Sequence, residues 1–409
     1  MLADFAGSLS TVLVSVLAFL VMLPVIVFVH ELGHFQTGRI LGIRIDAFSI
    51  GFGPELKRWV DRHGTVWRIS ALPLGGYVKF FGDANAASTG AATEQGTAGT
   101  TQFPSRSDQL AASLTEEEQK VCFHFRPVWQ RALVVAAGPA ANFVLAVVIF
   151  AGLFIGLGRT EVEPVVGLVA EDSAAAEAGF EPGDRILTLN GQRIRTFNDL
   201  TGRIRLSSGE ELTFVVERGG ASQEIRATPR RVEVTDGFGN TSYAGQLGVG
   251  SDPRFVTRVR FGPLEALQAA CGEVGRVVSL TVRFFGRLLT LKEDPREIGG
   301  PLRIGQMAGQ AASLGFTIDA PELTVTDRLL TSLSAFLSIA ALISISVGFL
   351  NLLPVPVLDG GHLMFYAYEA VAGRPMNEAV QGVLYRFGMV AVFGLIAFVV
   401  VNDVARLAG

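Results

Sequence analysis

The chain has 409 residues, of which 49% are hydrophobic and only 18% charged, with a mean hydropathy of +0.41. That is too apolar for an ordinary soluble protein and too charged for a pure bundle of spans, so a mixed membrane and aqueous architecture is expected. A net charge of −4 argues against the basic face that nucleic acid requires, and two cysteines without a C-x-x-C pattern argue against a cysteine zinc or redox site.

The first segment, about Ser10 to Phe35, is long and apolar enough to enter a bilayer, with Pro24 as a kink point. It has no basic n-region and no A-x-A site, so it reads as a retained span rather than a removed signal peptide. Its end carries His30-Glu31-Leu32-Gly33-His34. On a helix the two histidines fall at i and i+4, on one face, where two neutral imidazoles can bind one Zn²⁺ with Glu31 beside them as general base. Ionisable groups inside a membrane are costly and mark function. Residues 1–40 are therefore expected to be transmembrane helix 1 with its metal motif.

Residues 41–130 form the first loop. Arg39, Arg44, Lys57, Arg58, Arg62, Arg68, Lys79, Arg126 and Arg131 line it, against a single Asp4 in the N-terminal tail. The positive-inside rule then puts the loop in the cytoplasm and the N-terminus outside. Trp67 to Ser70 and Gly76 to Phe80 alternate like strands around Leu72-Pro73-Leu74-Gly75, which predicts a short hairpin. From Asp83 to about Gln119 the Ala, Ser, Thr, Gly and Glu composition predicts a disordered linker. His63 and His124 read as surface residues. A second span, about Ala132 to Leu157, fills residues 131–158. This topology separates Cys122 from Cys271 across the membrane and argues against a disulfide.

Residues 160–258 read as a soluble globular domain of short β-rich runs between Gly, Pro, Asn and Asp turns, with a short helix from Ser173 closed by Gly179. Residues 262–330 hold an amphipathic helix, about Leu264 to Leu291, and a linker. Leu267, Cys271, Val274, Val278, Val282, Phe285 and Leu289 fall near helical spacing, interrupted by Arg276, Arg283 and Arg287. It is expected on the outer membrane surface or against the spans. A third span, about Leu333 to Leu353, lies in residues 331–362. A fourth, about Phe387 to Val401 and starting as early as Val383, lies in 380–409 and returns the C-terminus outside.

A catalytic zinc site needs a third protein ligand and an open position. Asp359 is the strongest candidate: an isolated acid between Leu358 and two glycines in an apolar stretch needs a partner, and a metal ion is an economical one. The alternative is an aspartate that caps the next helix. Asn351, Pro354 and Pro356 predict an unwound segment whose open backbone could pair with an extended substrate. Asn351 could hold the scissile carbonyl or its oxyanion, or merely satisfy local backbone.

His30-Glu31-x-x-His34, Gly138-Pro139-Ala-Ala-Asn142, Asn351-x-x-Pro354 and Leu358-Asp359-Gly360 together resemble the site-2 protease family, in an order and spacing similar to its bacterial branch, the regulator of sigma-E protease type. The resemblance covers nearly the whole chain. It implies an intramembrane zinc metalloprotease of the bacterial inner membrane. Such an enzyme cleaves single-span membrane proteins, such as an anti-sigma factor or remnant signal peptides, after an upstream site-1 protease has trimmed them. It implies His30, His34 and Asp359 as zinc ligands and Glu31 as base. It also implies a membrane-associated hairpin, Gly76, Tyr77, Val78, Lys79 and Phe80, that presents substrate with Asn351 and Pro354.

Ser173-x-Ala175-x-x-Ala178-Gly179, Pro182-Gly183-Asp184-x-Ile186-Leu187 and Asn190-Gly191 resemble a PDZ domain. In the family that module is extracytoplasmic, and one copy is visible where some relatives carry two. Val166-Gly167-Leu168 and Leu247-Gly248-Val249 both resemble its carboxylate-binding loop. The expected fold class is thus a four-span helical core, a cytoplasmic membrane-associated β-hairpin and one extracytoplasmic PDZ-like α+β domain. The rival reading is a non-catalytic membrane scaffold that binds extracytoplasmic chain ends and for which Glu31 and Asp359 are dispensable. A metal transporter would want more intramembrane ligands along a path.

Overall fold

The computed structural model describes residues 2–82, 112–235, 241–290, 299–318 and 322–408. In chain order the elements begin with helix α1 (Leu2–Ile40), strands β1 (Ile45–Val60) and β2 (Val66–Phe80), and helices α2 (Glu116–Val121) and α3 (Val128–Leu157). Strands β3 (Arg159–Val162) and β4 (Val166–Val169) follow, then α4 (Ala174–Ala178), β5 (Arg185–Leu189), β6 (Gln192–Arg193) and α5 (Phe197–Arg205). Next come β7 (Leu212–Arg218), β8 (Ala221–Ala227), β9 (Arg230–Thr235), β10 (Thr241–Gln246), β11 (Val249–Ser251) and β12 (Val256–Val259). Helices α6 (Pro263–Leu289), α7 (Pro301–Thr317), α8 (Val325–Asn351), α9 (Asp359–Ala372) and α10 (Glu378–Ala408) complete it.

Among the described residues, four helices are long and apolar enough to cross a membrane: Val12–Ile40 within α1, α3, α8, and Glu378–Ala405 within α10. Their outward residues are aliphatic and aromatic, as lipid requires: Leu13, Val144, Leu333, Phe387 and Val390 are all exposed. The chain divides into two compact units, residues 1–149 with 299–409 and residues 150–298, and α3 contributes to both.

In the first unit, α1 carries two working faces. Phe28, Leu32 and Phe35 pack on the sheet, with Phe48, Val78, Phe80 and Trp67 opposite them. Phe48 meets Phe28 and Phe35 edge-on at 5.8 and 5.2 Å, the geometry that aromatic quadrupoles favour. The predicted hairpin is corrected here. Trp67–Ser70 and Gly76–Phe80 do not pair with each other; both belong to β2, and the start of β1 lies between them. Phe48 is the partner of Val78 on one side and of Trp67 on the other. The missing strand, Ile45 to Ile50, supplies the backbone partners for both.

The predicted linker falls mostly on residues 83–111, outside the described residues. Its C-terminal end is corrected: Glu116–Val121 is a helix with a complete Thr115/Glu118 capping box. Two further helices, α7 and α9, stand where a linker and a gap between spans were expected. α7 packs through the buried small residues Gly305, Ala308, Gly309 and Ala311.

In the second unit, β6-β5-β7-β8 form a four-stranded sheet over a core that includes Val166, Phe180, Ile186, Leu200 and Phe214. Helix α4 is capped by Ser173 Oγ, which accepts from the Ala176 N–H, and closes with Gly179 at φ 83°. The two glycine stretches that resemble a carboxylate loop are neighbours: Gly250 of β11 pairs with Leu168 of β4, and the Ala170 N–H donates to the Gly248 carbonyl at 2.8 Å. The arginines of α6 do not interrupt an open face. Arg276 pairs with Glu273, Arg283 reaches Ser207 Oγ at 2.7 Å, and Arg287 reaches Glu210.

Candidate metal centre

Three side chains from distant parts of the sequence converge. His30 and His34 stand one helical turn apart on α1, and their Nε2 atoms are 3.2 Å apart. Asp359, the first residue of α9, brings Oδ2 to 3.1 Å from His30 Nε2 and 3.5 Å from His34 Nε2. Helix α9 does take Leu358 as its N-cap, but Leu358 offers no capping side chain, and the Asp359 carboxylate faces the imidazoles instead.

The opposite wall is one stripe of α3. Val134, Gly138 and Asn142 lie at successive i+4 positions. His34 Nδ1–H donates to the Val134 carbonyl at 2.9 Å. That contact holds the proton on Nδ1 and leaves the Nε2 lone pair facing His30 and Asp359. Gly138 makes the space: a Cβ there would stand 2.3 Å from His34 Nε2 and 2.9 Å from His30 Nε2. Fully buried Asn142 places its amide 3.2 Å from His30 Nδ1. The atom facing the ring is Nδ2, and Oδ1 is buried with no partner; a 180° turn of the amide would let Oδ1 accept from Nδ1–H and free the second Nε2 lone pair in the same way. Helix α8 holds this wall, because Ser344 Oγ donates to the Asn142 carbonyl at 2.9 Å.

The cluster fits a metal. Two nitrogen lone pairs and a carboxylate face one another, and Asp359 Oδ2 is buried with no hydrogen-bond donor. Such a group is expensive unless a cation compensates it. Tetrahedral ligands about 2.0–2.1 Å from zinc lie about 3.4 Å from each other. The three separations here are 3.2, 3.1 and 3.5 Å. Among the described residues this is also the one group of three or more His, Cys, Asp or Glu placed to share an ion.

Comparison with known proteins agrees with the site. Residues 18–395 match the model of peptidase family M50. The chain belongs to peptidase family M50. This M50 chain is 42% identical to a candidate zinc metalloprotease of Agrobacterium fabrum, over 96% of each chain. It is 41% identical to a candidate zinc metalloprotease of Brucella suis, over 98% of each. It is 39% identical to metalloprotease MmpA of Caulobacter vibrioides, over 96% of each. Among solved structures, the PDZ domain of an SdrC-like protein from Listeria monocytogenes is similar to 23% of this chain and 93% of its own, at 17% identity and a TM-score of 0.18. The M50 chain is a membrane protein and a zinc metalloprotease of the site-2 protease family, and its cofactor is Zn²⁺.

The remaining candidates divide. Glu31, next to His30, lies under β2: a Cβ at Gly76 would meet Glu31 Cγ at 2.9 Å, and the Val78 amide hydrogen-bonds to the Glu31 carboxylate. Tyr77 stacks near Phe52, with ring centroids 6.5 Å apart. Lys79 is paired across to Ala47. The Val78 and Phe80 side chains are buried in the α1–sheet core and do not face a substrate. Asn351 ends α8 and Pro354 lies in the non-helical residues 352–358 before Asp359. His362 is buried but outside the cluster, and His63 is exposed. The sequence marks Gly138-Pro139-Ala-Ala-Asn142 as a motif, but not as the wall behind the two histidines. Its signal was present, since an amide inside a span needs a partner, but nothing local says which helix supplies it.

Proposed function

We propose that His30, His34 and Asp359 hold the zinc and that Glu31 is the general base of an intramembrane endopeptidase acting on single-span membrane proteins. The observation that carries this reading is the convergence of three donors from α1 and α9, with the Glu31 carboxylate beside them and the β2 backbone over it. Zinc bound there would polarise a scissile carbonyl and make water an effective nucleophile near neutral pH. Glu31 takes the proton from the attacking water and returns it to the leaving amine. His34 and His30 keep their lone pairs on target through Val134 and Asn142. Asn351, at the head of the broken segment, receives the developing oxyanion as a hydrogen-bond donor. The Gly76–Phe80 stretch of β2, paired with β1 on one side, offers its other edge to an extended substrate beside the non-helical residues 352–358.

A substrate helix must unwind before its carbonyls can be attacked, so helix-breaking residues in the substrate span favour cleavage. The basic first loop supports, by the positive-inside rule, a reading with residues 41–130 in the cytoplasm, water entering from that side, and both termini and residues 160–258 outside, in a bacterial inner membrane. There the PDZ-like domain meets chain ends left by an upstream protease.

Glu31→Gln tests the assignment. Zinc content should stay at the wild-type level while cleavage of a single-span substrate is lost. A Glu31→Gln protein that cleaves at the wild-type rate would sink it.

A further inference from the structure

The two histidine ligands sit mid-helix, where the backbone is rigid. Asp359 does not. It follows seven non-helical residues, 352–358, and opens α9 with no side-chain cap to hold its first turn. Backbone hydrogen bonds hold the junction together, from the Leu358 N–H to the Val355 carbonyl at 2.8 Å and from the Gly361 N–H to the Leu358 carbonyl at 3.0 Å, so what packs on it as a unit decides where the carboxylate points.

The fourth spanning helix, α10, packs on both sides of it. Before Asp359, Pro356 and Val357 rest on Gly388: a Cβ there would stand 3.1 Å from Pro356 Cδ and 3.2 Å from Val357 Cγ2. After Asp359, one turn into α9, buried His362 has Nδ1 3.3 Å from the Tyr385 hydroxyl, the shared proton following the imidazole tautomer. The Tyr385 ring also packs on His362 and Phe365, at 5.8 and 5.5 Å between centroids. Tyr385 and Gly388 are i and i+3 on α10 and so share one face. The far end of α9 is tied separately to α3, where Arg131 pairs with Glu369 at 2.6 Å and lies 4.9 Å over the Tyr366 ring.

Resting on the proposed ligand set, we propose that Tyr385 and Gly388 are positioning residues for Asp359, so that α10 sets the geometry of the third metal ligand. Neither residue belongs to the donor cluster. Tyr385 acts through His362, and Gly388 through Pro356 and Val357. A residue that aligns a ligand carboxylate in this way changes metal affinity and the ligand field, not the fold.

The test uses the full-length purified protein in detergent, with Co²⁺ as a spectroscopic probe and Zn²⁺ affinity by chelator competition. Tyr385→Phe keeps the ring and removes only the hydroxyl. Affinity should fall about tenfold or more, the low end of what outer-shell partners contribute, and the Co²⁺ d–d bands should shift while the thermal midpoint is unchanged. Gly388→Ala, which presses on the other side of the junction, should shift the same bands. His362→Phe should shift them too and add nothing further to Tyr385→Phe. Wild-type spectra and affinity in both Tyr385→Phe and Gly388→Ala would overturn the proposal. Asp359→Ala separates the two levels: if it keeps wild-type affinity, the ligand set itself is wrong, whereas if it loses the metal while both α10 variants bind as wild type, only the positioning role falls.

Discussion

Gly138 lies directly against the His34 ring, so close that a methyl group there would stand 2.3 Å from Nε2. This residue is the floor of the centre. Gly138→Ala should push both imidazoles out of register and cut zinc content to a small fraction of wild type, with helix content by circular dichroism unchanged. A Gly138→Ala protein with full zinc would mean that the metal lies elsewhere.

Asn142 stands behind His30 as Gly138 stands behind His34. Outer-shell partners of metal-bound histidines are worth roughly 10- to 100-fold in affinity. Asn142→Ala should lose about that much in a chelator competition. Asn142→Asp, whose carboxylate can only accept from His30 Nδ1–H, should bind zinc about tenfold more tightly than Asn142→Ala. Equal affinities for the two variants would contradict the role given to the amide.

Asp61 locks the tip of the β1–β2 sheet to the end of α1. Burial alone would raise its carboxyl, but hydrogen bonds from Trp67 Nε1 (3.0 Å), Arg39 and the amides of His63 and Thr65 outweigh it and hold the group at about 2. A folded value below the unfolded one stabilises above the unfolded value and is lost as pH falls toward the folded one. Asp61→Asn should therefore cost about 1–2 kcal/mol at neutral pH, and that difference should vanish as pH drops from about 4 to about 2. Thermal melts of both proteins across that range measure it, and a constant gap would contradict the pairing.

Asp403 of α10 is buried and caps α7 from outside the helix. Its carboxylate accepts from the Gly300 N–H at 3.1 Å and the Leu302 N–H at 3.2 Å. Asp403→Ala leaves those donors orphaned and should cost about 1–3 kcal/mol. The loss should appear in hydrogen exchange as faster exchange at residues 300–303 while the α8 amides stay protected.

The parts legible in the sequence were those that local spacing decides. Helical periodicity alone puts His30 and His34 on one face, and a lone acid between Leu358 and Gly360 demands a partner. Register across a sheet is not local. The Ile45–Ile50 stretch is followed at once by Gly51 and Gly53, at φ 87° and 85°, so its alternation is short, and its two β2 partners lie in other parts of the loop. Helix α7 was hidden for a different reason: Gly305, Gly309 and Gly315 weaken its propensity, and its stability comes from close packing rather than from composition. Asn142 and Gly138 acquire their meaning only when α1 lies against α3.

Asp359 is the proposed third zinc ligand beside His30 and His34. Zinc-edge X-ray absorption on the purified wild type and on Asp359→Ala tests it most directly. The wild type should show two imidazole nitrogens and a carboxylate oxygen at about 2.0–2.2 Å, and the variant should lose the oxygen contribution or the metal. An unchanged spectrum with full zinc in Asp359→Ala would contradict it.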